Sequence, residues 1–96
     1  MELKNKIDAV NLKFGYKLLV LMLDHFEYKE EYEICQEINN KLDNIEKYFG
    51  IEIERFIDKG FIEDYVAEFW KFGLSGDTAL SNLPFYIKES IEIISQ

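Results

Sequence analysis

Cysteine, proline and glycine are all scarce in this chain, and each shortage excludes something. With one cysteine, Cys35, no internal disulfide can form, and no Cys/His tract has the spacing of a metal site. A reducing compartment, the cytoplasm, is therefore the expectation. One proline and five glycines in 96 residues leave little material for the turns of a β protein. The stretch FGLSGDTA lacks both the lysine and the glycine spacing of a phosphate cradle. Long apolar runs are missing too: the six residues from Leu18 to Leu23 are too short to span a bilayer, and Asp24-His25 follows them instead of a small-residue cleavage site. A buried helix is expected there, not a signal peptide or a membrane anchor.

What the chain does contain is apolar and acidic. Apolar residues make up 48% and aromatics 16%, far from the composition of disordered chains, and the length suits one domain over residues 1–96 with a single core. The net charge of −8 is unevenly spread: Lys4, Lys6, Lys13 and Lys17 outnumber Glu2 and Asp8 in residues 1–23, while residues 24–96 hold seventeen acids against seven bases. Most of this surface repels phosphate backbones, so direct nucleic-acid binding is not expected, and it complements a basic protein. An acidic face also keeps a small domain soluble without any partner.

Periodicity predicts helices throughout. Residues 7–26 carry two apolar tracks, one through Leu3, Ile7, Val10, Phe14, Leu18 and Leu21, the other through Leu12, Tyr16, Leu19, Leu23 and Phe26. A helix apolar on two sides is either central to a bundle or half-covered by another chain, which would make helix one the seam of a homodimer. A second helix is expected from about Glu31 to Gly50, with Tyr32, Cys35, Ile38, Leu42, Ile45 and Phe49 on its inner face and Gly50 as its C-terminal cap. The short connection at 27–30 forces an antiparallel hairpin. In IEIERFIDKG a short helix is favoured over a strand, because a strand would lack a pairing partner. FIEDYVAEFWKFG reads as a helix with Ile62, Tyr65, Val66 and Phe69 inward, Asp64, Glu68 and Lys71 outward, and Gly73 as its stop. Pro84 suits the first turn of a last helix striped by Leu83, Ile87, Ile91 and Ile94. The expected fold is an all-α bundle of four to five helices built on the N-terminal hairpin.

The residues YEICQEINNKLDNI resemble the second half of the UVR motif, a small helical hairpin found in nucleotide-excision-repair proteins and in partners of protein-quality-control machines. Tyr32-Glu33 matches the aromatic-Glu pair, Cys35 the small residue, and Ile38, Leu42 and Ile45 the apolar series. The chain departs from the motif at Asn39-Asn40, where the motif has Arg-Asp, and at Lys29 and Glu30, where small alanines are expected. The resemblance covers about a third of the chain. It implies protein contact through a helical hairpin, with no chemistry of its own, and the missing Arg-Asp leaves the partner open.

No constellation in the sequence points to catalysis. Glu27, Glu30, Glu31, Glu33 and Glu37 form a solvated run, whereas acid–base work needs carboxylates held in a cleft. Asp24 and His25 diverge on a helix and cannot readily share an ion, and Cys35 on an apolar face is a packing residue. No catalytic, cofactor or metal-ligating residue is expected. Eight of the fifteen aromatics lie between Tyr48 and Phe72, and Trp70 and Phe72 at the edges of the Ile62 stripe are either core rim or an apolar anchor ringed by acids. The expected function is a small acidic protein–protein interaction domain, adaptor or regulator, touching its partner through Glu33, Glu37, Asn40, Asp64, Glu68 and Trp70. The alternative is a stoichiometric inhibitor, such as a toxin-immunity or phage counter-defence protein, whose acids occupy a basic nucleic-acid-binding site.

Overall fold

A one-residue break at Gly15 shapes the N-terminal half of the molecule. The computed structural model describes the backbone of residues 1–70 and 76–96, and the side chains of residues 1–67 and 80–96. Its described residues form five helices and no strand: α1 (Leu3–Phe14), α2 (Tyr16–Tyr28), α3 (Tyr32–Phe49), α4 (Phe61–Trp70) and α5 (Gly76–Ser95). The single helix expected over residues 7–26 is thus two. Gly15 has φ 87° and ψ 169°, a conformation that side chains disfavour and glycine adopts freely. Its N–H still donates to the Asn11 carbonyl at 2.9 Å, and Leu18 N–H donates to Gly15 O at 3.2 Å, which starts α2. The apolar spacing runs across Gly15 without interruption, so periodicity alone does not reveal the turn.

α2 is the central helix. Leu18, Leu19, Val20, Met22, Leu23 and Phe26 are all buried, because α3 packs on one side and α1 and α5 on others. Its two apolar sides are therefore covered within the chain. Leu12, assigned above to the second track, belongs to α1 and is 88% exposed. α3 returns antiparallel to α2 and buries Cys35, Ile38, Leu42 and Ile45. At the ends of that stripe Tyr32 and Phe49 are each 66% exposed, contrary to expectation. At the Phe49 end the cause is length: α2 has thirteen residues against eighteen in α3, so α3 projects beyond it there. Ile7 and Val10 of α1, Phe61 and Tyr65 of α4, and Leu83 and Ile94 of α5 join the same core cluster. Each such burial contributes about 2 kcal/mol.

Two further expectations are corrected. Residues 51–60 form neither the short helix favoured above nor a strand; they run as an irregular strap whose Ile53 is buried. The Ile53 N–H and the Arg55 side chain find acceptors on α3, while the Gly60 N–H closes a local turn on Asp58 Oδ1. Pro84 lies inside α5, not in its first turn. Proline's fixed φ is helical, and its exposed position leaves the Leu83, Ile87, Ile91 and Ile94 stripe directed at the core. Of α4's expected inner face, Tyr65 is buried and Ile62 and Val66 are half-buried. The side chains of Phe69, Lys71 and Phe72, and the stop assigned to Gly73, lie outside the described residues. α1 is tied to α5 by Lys13–Glu89 at 2.8 Å and by stacking of Phe14 on Tyr86 at 4.9 Å, and to α3 by Lys41–Asp8 at 2.9 Å.

Candidate functional site

Helix α3 divides its surface four ways, and each sector follows from the 100° step between residues. Cys35, Ile38, Leu42 and Ile45 face the core. Glu37, Lys41 and Asn44 flank α1, where they border a small hollow with Lys4, Ile7 and Asp8. On the opposite flank Asn39, Asp43 and Glu46 stand one turn apart. The outward back presents Glu33, Gln36 and Asn40, all exposed.

The flank of Asn39, Asp43 and Glu46 holds the strap. Arg55 donates from one guanidinium nitrogen to Asn39 Oδ1 at 2.8 Å, and from the other to Asp43 Oδ1 and Glu46 Oε1, both at 2.6 Å. Glu46 Oε2 accepts the Ile53 backbone N–H at 2.8 Å, so one carboxylate bonds both the apolar plug and the basic latch. Burial alone would lower the Arg55 pKa, but hydrogen bonding and charge from Asp43 and Glu46 outweigh it and hold the guanidinium above its ordinary value. Arg55 is half-buried, with its side chain 27% exposed. The latch is worth about 1 kcal/mol and weakens with salt.

At the other end of α3 the hairpin turn is built as a Schellman motif: Glu31 N–H donates to Phe26 O and Glu30 N–H to Glu27 O, both at 3.0 Å. The left-handed residue such a motif needs is Glu30, φ 59°, the one non-glycine residue with positive φ among the described residues. Tyr28 is 86% exposed at this turn, and with Tyr32 it is surrounded by exposed Glu27, Glu30, Glu31 and Glu33. An open groove of about 660 Å³ leads from here along α3, lined by Glu27, Tyr32, Cys35, Gln36, Asn39, Asn40 and Asp43. It thus runs from Tyr32 to Asn39 and Asp43, two of the acceptors of the Arg55 latch. Cys35 forms part of its floor. Burial and then the charge of Glu27 raise the Cys35 thiol pKa, and Sγ lies 3.9 Å from Leu23 O.

Of the residues expected to meet a partner, the structure brings Glu33 and Asn40 together on the back of α3, with Glu37 turned toward α1. Asp64 is exposed on α4, in a separate cleft with Tyr16, Lys17, Glu52, Glu54, Asp58 and Phe61. Lys17 Nζ sits there 5.2 Å from the Phe61 ring centre. The side chains of Glu68 and Trp70 lie outside the described residues. Sequence reasoning missed Tyr28, Asn39, Asp43, Glu46 and Arg55. One signal was present: Arg55 is the sole arginine beside ten lysines, and a planar fork suits two carboxylates where a lysine would not. No helix of the described residues is long and apolar enough to cross a membrane.

No protein-family model, no curated protein and no solved structure matches this chain.

Proposed function

We propose that this chain is a small acidic protein–protein interaction domain, an adaptor or regulator without chemistry of its own, that engages a basic protein through the α2–α3 turn and the outward back of α3. The observation that carries it is Tyr28 and Tyr32, two largely exposed aromatics in a ring of glutamates. Rigid amphipathic rings give contact area at small entropic cost, while surrounding charges steer the encounter. The strained backbone at Glu30 supports the same surface, since a left-handed glutamate is retained where glycine would fold more easily. So does the resemblance to the UVR hairpin, which implies contact through two antiparallel helices.

Affinity capture from the native host tests this. Wild-type protein is expected to retain a basic protein that the Tyr28→Ala, Tyr32→Ala double variant loses by faster dissociation, and that Glu30→Lys, Glu33→Lys captures more slowly, with a weaker salt dependence. Equal capture by all three proteins would overturn the assignment. If nucleic acid competes with the captured protein, the domain is an inhibitor of a nucleic-acid-binding site; if not, an adaptor.

A further inference from the structure

The groove along α3 ends at Asn39 and Asp43, two acceptors that a guanidinium of the chain itself already engages. We propose that the groove accepts an extended, arginine-bearing segment of the partner, and that Arg55 is its internal competitor, so that strap docking and partner docking exclude one another. This rests on the assignment of a basic partner above and specifies its chemistry.

The geometry supports it in three ways. Asn39 and Asp43 both line the groove and accept from Arg55, so a partner arginine reaching that end meets acceptors already engaged in cis. From Tyr32 to Asp43 the groove follows eleven residues of helix, roughly 16 Å, which an extended segment of about five residues spans. The strap carries the same elements: Ile53 is buried, its N–H is bonded to Glu46, and Arg55 follows two residues on. Beyond Ile53 and Arg55 little holds it. The strap has no internal ladder, and Phe56 and Ile57 beside the latch are 61% and 41% exposed, adding little to hold it down. Arg55 keeps its charge at any ordinary pH, so release responds to competing cations and salt and not to protons.

The test needs no knowledge of the partner. Hexa-arginine peptide is titrated into the full chain at low salt, with backbone amide shifts followed by NMR. Shifts are expected at Gln36, Asn39 and Asp43, and the Ile53 amide should lose its protection from hydrogen exchange as peptide saturates. Arg55→Ala should bind the peptide about three- to tenfold more tightly, because an occupied fraction of the site is freed. Arg55→Lys, which retains the charge but not the fork, should fall between. Lys47→Ala removes one positive charge from the same helix without touching the latch, and should change affinity less than Arg55→Ala. Equal gains from Arg55→Ala and Lys47→Ala, persistent Ile53 protection at saturation, or no binding to Arg55→Ala would each overturn the competition. A host protein captured through the tyrosines alongside such a result would leave the proposed function standing and remove only the internal competitor.

Discussion

The two ends of α3 solve one backbone problem with different residues. Each adjoins a left-handed position: Gly50 at φ 64° follows the helix, and Glu30 at φ 59° stands just before it. At Gly50 the N–H of the glycine and that of Ile51 both return to Glu46 O, a glycine cap of the kind most helices use. At Glu30, which closes α2, the two N–H groups go to separate carbonyls, Glu30 to Glu27 O and Glu31 to Phe26 O, and the left-handed backbone is held against the steric preference of a side chain, at a cost of about 1 kcal/mol. The Gly50 end leads into a strap that bonds back to α3. The Glu30 end joins α2 to α3, with Tyr28 and Tyr32 exposed beside it as Tyr48 and Phe49 are exposed beside Gly50. What separates the two ends is thus the residue that takes the left-handed position, not the exposure of the aromatics beside it.

The largest predicted effect removes the support that both ends share. Ile38 is fully buried midway along α3, and Ile38→Asp should lower stability by about 3–5 kcal/mol, a large part of the roughly 5–15 kcal/mol available to a domain. Chemical denaturation would show a lost or strongly shifted transition; a melt like the parent's would break the assignment of the α3 core face. Next in size is Gly50→Ala. Nothing lies within 4 Å of the added Cβ, so the expected loss of about 1 kcal/mol is backbone strain alone, read as a lower denaturation midpoint with unchanged slope. Glu30→Gly should act in the opposite direction, raising stability by about 0.5–1 kcal/mol. If both changes destabilise, the turn at Glu30 gains from its side chain in folding, and the contrast between the two ends disappears.

The smallest effect is on Cys35, one turn from the tip. Its thiol pKa is raised by burial and by Glu27, so iodoacetamide should label it slowly in the native protein and rapidly in denaturant. A folded-state value above the unfolded one contributes stability that is present below the unfolded thiol pKa and lost as pH rises through the folded one. Fast native labelling would mean that the tip end of α3 opens, and would place the flexibility at Glu30 instead of at the strap.

Much of the architecture was legible because helices are local objects. The spacing of Cys35, Ile38, Leu42 and Ile45 stated a buried face, Gly50 stated a helix end, and the short connection after α2 stated an antiparallel return, since each depends on residues within a few turns. The candidate site was legible only in part. The exposure of Glu33 and Asn40 followed from the polar side of that helix, but Arg55 reaches Asn39 across sixteen residues of sequence, and no periodicity encodes such a pairing. Gly15 could have been either a tolerated helical glycine or a turn, and packing of α2 between α1, α3 and α5 decided it. Exposure at Phe49 was likewise set by where α2 stops, a property of a different helix. The sequence by itself determined that the fold is helical and which faces of its strongly periodic segments are apolar, because those follow from neighbours three and four residues apart. Only the tertiary structure decided which apolar faces are covered and where a charge finds its partner, because both depend on surfaces that folding brings together from distant parts of the chain.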